Sequence, residues 1–328
     1  LNIKPYAIQA GERAINEHLE RKGIKGKAEF LEKTSGYKIN YSLLNHPPSV
    51  SLFVTALQPI NLVENLITEI INKTKYDNYQ IHFLQNKTNS KINQKINNLE
   101  ENDHRIIPIK ISENSSPFQI LNECINKNSA DYVGFIDPQL SGFNPGWLTT
   151  LVSQAVQENI GAVAPKILDP NHHIFSNGII FTPDMNIHNL FQGKHEDFNG
   201  YFGWGKLRKG YSALSDKLIL LSRSKFIEVE GFETIFHLPS LTNFDLCLKL
   251  KEKNYRNILC TSVELYIQKD REYNSFRKRA DLSNNHKYLK LFIQKWEGFL
   301  LHDPGFNPNL AIAEGGEIVV NLSPQNNQ

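Results

Sequence analysis

The sequence predicts an α/β protein with a mostly parallel central sheet and helices on both faces, preceded by a small appendage. Three observations carry this. Between Val50 and Ile136, short β-prone runs alternate with longer segments of helical periodicity, the pattern of βαβ units. The break at His46-Pro47-Pro48 separates this alternation from a differently patterned start. A 328-residue chain with 40% hydrophobic and 21% charged residues falls in the globular class, long enough for one large core or two modest ones.

In order along the chain, residues 5–22 place Ile8, Ala14, Ile15 and Leu19 near helical spacing, and Gly23 is suited to cap the helix they form. Runs 28–31 and 37–43 flank a Ser35-Gly36 turn and read as a hairpin. Strands are expected at 50–55, 79–84, 105–111 and 131–136, with helices at 61–73, 89–99 and 117–128 between them. In such a sheet ligands bind beyond the carboxyl ends of the strands, which places Thr55, Gln85 and Asp137 at the binding edge. A helix from Trp147 to about 159 and strands at 161–165 and 174–182 come next. The stretch 183–211 mixes Gly193, Gly200, Gly203 and Gly205 with Phe191, Phe198, Tyr201, Phe202 and Trp204, which suits either a mobile lid or a surface excursion with its aromatics packed beneath it. A strand at 217–221, a short helix from Ser224, a turn at Glu230-Gly231-Phe232, a helix at 243–253 and a last helix at about 285–301 complete the series. The division expected is an appendage at 1–48, the α/β domain at 49–302 and a tail at 303–328.

A formal charge of +2 gives no electrostatic reason to expect nucleic acid as a partner. Apolar runs such as 217–221 stop far short of the roughly 20 residues of a membrane helix, and no signal peptide opens the chain, so no transmembrane segment and a cytoplasmic location are expected. Cys124, Cys247 and Cys260 show no paired metal spacing and read as core residues. Leu1 in place of Met points to an excised or processed piece of a longer chain.

Several motifs, in their order and spacing, resemble those of family 2 glycosyltransferases of the bacterial cell-surface polysaccharide type, which have the GT-A fold with its Rossmann-like sheet. They include Tyr132-Val133-Gly134-Phe135-Ile136-Asp137-Pro138-Gln139, Asn144-Pro145-Gly146-Trp147, Gly161-Ala162-Val163-Ala164-Pro165-Lys166, Glu230-Gly231-Phe232-Glu233, and the stretch from Leu241 through Asn243, Asp245 and Cys247 to Leu250. The resemblance implies an enzyme that binds a nucleotide diphosphate sugar at the sheet edge and passes the sugar to an acceptor hydroxyl. Such chemistry needs a cation on the leaving diphosphate, usually Mg or Mn on an Asp-x-Asp pair, and a carboxylate to take the acceptor proton.

At the positions where the resemblance places that chemistry, this chain carries other side chains. The first-strand motif reads Thr55-Ala56-Leu57-Gln58, the second-strand Asp position is Gln85, and the metal pair is Asp137-Pro138-Gln139. The catalytic-base position is Asn243, whose amide cannot accept a proton near neutral pH. A late His-His-Glu is Ile267-Gln268-Lys269. The nucleotide-sugar pocket would thus be lined by Thr55, Gln85, Asp137 and Gln139. Asp137 either holds a metal or bonds backbone amides at the strand end. Asp245 is the nearest substitute base, with Asp216 as the other candidate, although a carboxylate near a helix start is also favourable to the helix dipole. Lys206, Arg208 and Lys209 either neutralise a diphosphate or are solvated loop cations. His172, His173 and His188 lack partners at metal-ligand spacing.

Two functions fit this set. In the first the domain has lost catalysis and serves as a scaffold, a saccharide-binding module or a partner in a protein assembly, including self-assembly. In the second it is a working transferase with a divergent site, either metal-independent or using Mg or Mn, with Asp245 or Asp216 as base and Lys or Arg on the leaving group.

Overall fold

The computed structural model describes residues 5–43, 46–55, 60–86, 94, 97–101, 103–111, 116–268, 271–313 and 316–320; side chains are described for these except 55, 60, 61, 84–86, 110, 111 and 271–285. The first helix is Pro5–Arg21. Gly23 ends it at φ 65, with Ile24 N–H reaching Leu19 O at 2.9 Å and Gly23 N–H reaching Glu20 O at 2.9 Å. This is the left-handed glycine cap that satisfies the last helical carbonyls. The expected hairpin follows as β1 (Gly26–Leu31) and β2 (Gly36–Tyr41), antiparallel from Gly26 opposite Tyr41 to Leu31 opposite Gly36.

After the proline break come β3 (Val50–Thr55), the Ile60–Lys73 helix, β4 (Tyr79–Asn86), β5 (Ile106–Ile111), the Pro117–Lys127 helix and β6 (Tyr132–Ile136). β5, β4, β3 and β6 lie side by side and all pair in parallel. Pro108 lies in β5, the edge strand among the described residues, where a residue without an N–H is tolerated. The helix expected at 89–99 lies mostly outside the described residues; 97–101 are helical.

The second half contains β7 (Leu140–Ser141), the Trp147–Ala155 helix, β8 (Ile160–Leu168), β9 (Ile174–Ser176), β10 (Ile179–Phe181), β11 (Ile187–Asn189), β12 (Lys209–Tyr211), β13 (Leu218–Ser222) and the Arg223–Glu228 helix. The Pro239–Glu252 helix, β14 (Arg256–Ile267), the Arg271–Leu301 helix, β15 (Leu310–Ile312) and β16 (Ile318–Val320) follow. The main sheet runs β12-β14-β8-β13-β6-β3-β4-β5, with β7 on β14 and β9 on β8. β13 is antiparallel to both β6 and β8, whereas β14 is parallel to β8. β6, β8 and β14 therefore point the same way, and β13 begins at the edge where they end. Every residue of β8 is buried, as expected of a strand covered on both faces. One core packs Trp147, Leu148 and Val163 against the β3–β4 region, and the other gathers Phe53, Phe135, Phe226, Phe244 and Phe292.

A single proline shapes the long strand. Pro165 has no N–H for the ladder, and at this point the β8–β14 register jumps from Cys260 opposite Pro165 to Glu264 opposite Lys166. Residues 261–263 bulge out, and Thr261 Oγ1 donates to Lys206 O at 2.7 Å, tying the segment before β12 to the bulge.

Two readings are revised, and one choice between alternatives is decided. The helix expected from Asn243 begins at Pro239, because proline is well suited to the first helical position. Asp245 is then well inside the helix, past the first turn where its dipole acts, so the capping account of Asp245 does not hold. The glycine-aromatic stretch is packed over most of its length: Phe191 is fully buried and a Cβ at Gly205 would lie 2.1 Å from Phe198 O, whereas Phe202 is 80% exposed. Finally, residues after 302 carry structure. Phe306 and Leu310 join the core, β15 pairs with β16, and Asp303 accepts hydrogen bonds from Phe181 N–H at 2.8 Å and from Ser212 Oγ.

Candidate functional site

Asp137 follows β6 and Lys217 precedes β13. Because these strands are antiparallel neighbours, with Leu218 opposite Ile136, residues 80 positions apart meet at one strand end. Asp137 N–H donates to Lys217 O at 2.8 Å, completing the pairing beyond the strands. Lys217 Nζ lies 2.5 Å from Asp137 Oδ2 and 3.1 Å from Gln139 Oε1. The lysine side chain is 1% exposed, and Gln139 is 2% exposed. Asp137 Oδ1 accepts the Gln139 N–H at 2.9 Å, so the carboxylate also closes its own turn. Gln139 is fastened to the end of β14 in both directions: its N–H₂ donates to Gln268 O at 3.4 Å and its backbone carbonyl accepts from Gln268 N–H at 2.8 Å.

An ammonium group therefore stands between Asp137 and Gln139, the two positions at which the family resemblance places the metal pair. A carboxylate paired with lysine and a neutral amide oxygen turned toward the same lysine are a poor set for a divalent cation, which would have to displace a buried positive charge. Among the described residues no group of three or more His, Cys, Asp or Glu side chains is arranged to hold a metal ion. Mg or Mn does not fit this arrangement as it stands.

Asn243 is 4% exposed and donates from Nδ2 to Leu214 O at 2.8 Å, bracing the backbone just before Ser215-Asp216-Lys217. Asp245 is fully buried. Its Oδ1 accepts from Trp296 Nε1 at 2.9 Å and pairs with Lys295 at 2.7 Å, and its Oδ2 pairs with Lys249 at 3.1 Å. It thus fastens the Pro239–Glu252 helix to the Arg271–Leu301 helix and presents no open face to an acceptor. Asp216 is half-buried on the loop leading to Lys217. Thr55 and Gln85 lie at the ends of β3 and β4, as expected from the topology, but their side chains, like Leu57, Gln58 and Lys269, lie outside the described residues.

Lys206, Arg208 and Lys209 are half-buried rather than solvated loop cations. Lys206 pairs with Asp197 at 3.3 Å, Lys209 lies 3.7 Å from the centre of the Trp204 ring, and Arg208 faces Tyr41. Burial lowers the pKa of Lys209 to about 8. β12 pairs with the first part of β14, from Asn257 to Leu259, whereas Gln139 adjoins its far end. His172 pairs with Glu196, His173 with Asp169, and His188 bonds Thr182. Cys247 and Cys260 are buried core thiols and Cys124 is half-buried. Sequence reading matched Ser215-Asp216-Lys217-Leu218 to a loop of the family but missed the contact of Lys217 with Asp137, since nothing in local spacing links the two. The Asn144-Pro145-Gly146-Trp147 motif is structural here: Asn144 Oδ1 caps Gly146 N–H at 3.0 Å, and the buried Trp147 donates from Nε1 to Thr74 Oγ1 at 2.8 Å.

This arrangement of strands is shared with solved nucleotide-sugar transferases of the GT-A fold. Mannosyltransferase PcManGT from Pyrobaculum calidifontis, solved in complex with GDP-Man and Mn2+, superposes with a TM-score of 0.56 at 14% identity over 79% of this chain and 69% of its own. GalNAc-T7, solved with UDP, GalNAc and Mn2+, gives 0.59 at 10% identity over 81% and 51%. The profile of the family described as "Glycosyl transferase family 2" matches residues 51–226, and this chain belongs to that family. Its sequence is 26% identical over 320 residues to the uncharacterized protein y4gI of Sinorhizobium fredii (strain NBRC 101917 / NGR234), covering 94% of this chain and 34% of that protein. It is 25% identical over 313 residues to the O-antigen biosynthesis protein RfbC of Myxococcus xanthus, covering 93% and 24%. The chain thus spans about a third and a quarter of the length of these two relatives. Among the described residues no helix is long and apolar enough to cross a membrane.

Proposed function

We propose that this domain takes part in surface-polysaccharide synthesis as a glycosyltransferase-fold module without metal-dependent transferase activity, acting by binding a saccharide or a protein partner. The observation that carries the proposal is Lys217, whose ammonium is buried between Asp137 and Gln139. The base position supports it, because Asn243 spends its N–H₂ on the Leu214 carbonyl. The similarity to an O-antigen biosynthesis protein supports the process, and a cytoplasmic location belongs to the same proposal.

A second reading rests on the same lysine. A fixed cation beside Asp137 can stand in for a metal on a diphosphate, with Asp216 as base, giving a metal-independent transferase. Asp245 does not serve that role, being buried among Lys249, Lys295 and Trp296.

Calorimetric titration with nucleoside diphosphates and their sugars, with and without Mn2+, combined with an assay of donor hydrolysis, separates these readings. The proposal expects no Mn2+-dependent binding and no hydrolysis. Mn2+-dependent binding with turnover overturns it. Metal-independent hydrolysis that disappears in Lys217→Met, at a temperature where unfolding curves show the variant still folded, establishes the second reading instead.

A further inference from the structure

A cleft of about 450 Å³ lies between the β1–β2 hairpin and the β14 bulge, on the side of the Trp147–Ala155 helix. Its charged and polar lining includes Lys38, Gln154, Lys206, Arg208 and Glu264. Glu264 already has its own cation, Lys166, at 3.2 Å, and Lys206 is paired with Asp197. Arg208 is different. Its Nε is buried and has no hydrogen-bond partner, and no carboxylate is paired with its guanidinium among the described residues. What faces it is the Tyr41 ring, with Cζ 5.8 Å from the ring centre.

Such a group is costly. A buried lysine escapes by losing its proton, but a guanidinium stays charged at any physiological pH, so the cost persists until an anion arrives. The same cleft contains a second unmet demand. Gln154 is 3% exposed, and its Oε1 is buried without a hydrogen-bond partner. Both groups are held in place: Gln154 by the helix that Trp147 anchors, and Arg208 by the Thr261–Lys206 bond on one side and the β12–β14 pairing on the other. Unsatisfied buried polar atoms are few in folded proteins, and two in one cleft mark a place where a ligand completes the bonding.

We infer that this cleft binds a hydroxylated anion, a sugar acid or a sugar phosphate, with its carboxylate or phosphate on Arg208 and a hydroxyl donating to Gln154 Oε1. The guanidinium presents Nε–H and a neighbouring N–H side by side, the geometry that matches two oxygens of one anion. The Gln154 oxygen only accepts, so it selects a ligand carrying a hydroxyl. A cleft of this size suits one or two sugar rings. It is separate from the Asp137–Lys217 strand end, and it adds a binding site that the strand-end residues do not provide.

The test is calorimetry and thermal unfolding of the chain with glucuronate, glucose 1-phosphate, inorganic phosphate and glucose, each at millimolar concentration. One-site binding of glucuronate or of glucose 1-phosphate is expected, at least about tenfold tighter than inorganic phosphate or glucose, because each of these supplies only one of the two contacts. The sugar that binds assigns the anion as carboxylate or phosphate. Arg208→Gln should weaken that binding by about 10- to 100-fold while leaving the unliganded protein as stable as before or more so. Gln154→Leu should weaken the sugar anion without changing the response to inorganic phosphate. No binding by either sugar anion overturns the inference, as does inorganic phosphate binding equally well. A fall in unliganded stability in Arg208→Gln also overturns it, by showing that the guanidinium is already engaged within the protein.

Discussion

Lys217 and Asp137, 80 residues apart, close a 2.5 Å ion pair at the point where β13 begins and β6 ends. The antiparallel pairing of these strands places the two side chains together, and the Gln139 amide oxygen completes the ammonium's surroundings at 3.1 Å. Lys217 thus sets a fixed positive charge between the two positions at which the family resemblance places the metal pair.

Removing that lysine leaves Asp137, whose side chain is 10% exposed, beside a backbone turn without its cation. Lys217→Ala should destabilise the fold by about 3–5 kcal/mol, the range for breaking a buried pair from one side. Thermal or urea unfolding reads this directly. A change below about 1 kcal/mol, as is common for exposed pairs, would show that the pair is solvated in solution.

Replacing both groups at the seat tests the metal argument. Lys217→Ala combined with Gln139→Asp restores two carboxylates and removes the competing cation, so thermal stability should become sensitive to Mn2+. The parent protein should show no such Mn2+ response, and an equal response in both would contradict the role given to Lys217.

Asp245 should matter to stability rather than to any transfer reaction. Asp245→Asn leaves Lys249 and Lys295 without their shared carboxylate. The cost should be roughly 2–3 kcal/mol, toward the low side because Lys295 is 36% exposed and still reaches water. If donor hydrolysis is detected, this variant should retain it once the temperature is lowered to keep the protein folded.

Returning a carboxylate to the base position should weaken the protein without creating activity. Asn243→Asp sets an acceptor against the Leu214 carbonyl that Nδ2 now satisfies, at a cost of about 1–3 kcal/mol measured by denaturant unfolding. Turnover appearing in this variant would mean that the rest of the transferase machinery is intact.

His82 makes stability fall in mild acid. It is 6% exposed, its Nε2 lies 3.1 Å from Ser51 Oγ, and its ring stacks on Phe53 at 4.7 Å. Burial lowers its pKa from 6.5 to about 4. Between these values the unfolded chain holds a proton that the folded chain does not, so stability is full above the unfolded pKa and declines as pH drops toward the folded one. The loss should approach roughly 3 kcal/mol, and His82→Gln should remove this part of the pH dependence. Unfolding curves of the two proteins across that window, with the histidine titration followed by NMR, measure both quantities.

The α/β series was legible because each strand and helix announces itself over a few neighbouring residues: the β3, β4, β5 and β6 runs and the Gly23 cap fall where local pattern put them. The start of the Pro239–Glu252 helix was harder to read, since proline both breaks helices and opens them. β12 and β15 are three-residue strands with no periodicity to detect, and they exist because a longer neighbour or the core receives them.

Local pattern by itself determined the order of the longer elements between Val50 and Ile136 and the edge of the sheet where Asp137 and Gln139 lie, and the motifs resembling family 2 glycosyltransferases pointed to the family. The partners of those side chains were decided only by tertiary structure. Lys217 meets Asp137 because β13 runs antiparallel beside β6, and Asp245 meets Trp296 and Lys295 because two distant helices pack together. Arg208 and Gln154 line one cleft beside the β14 bulge, where the β8–β14 register shifts at Pro165. Periodicity is a property of adjacent residues, whereas electrostatic pairing depends on distance in space, and only the packed sheet converts one into the other.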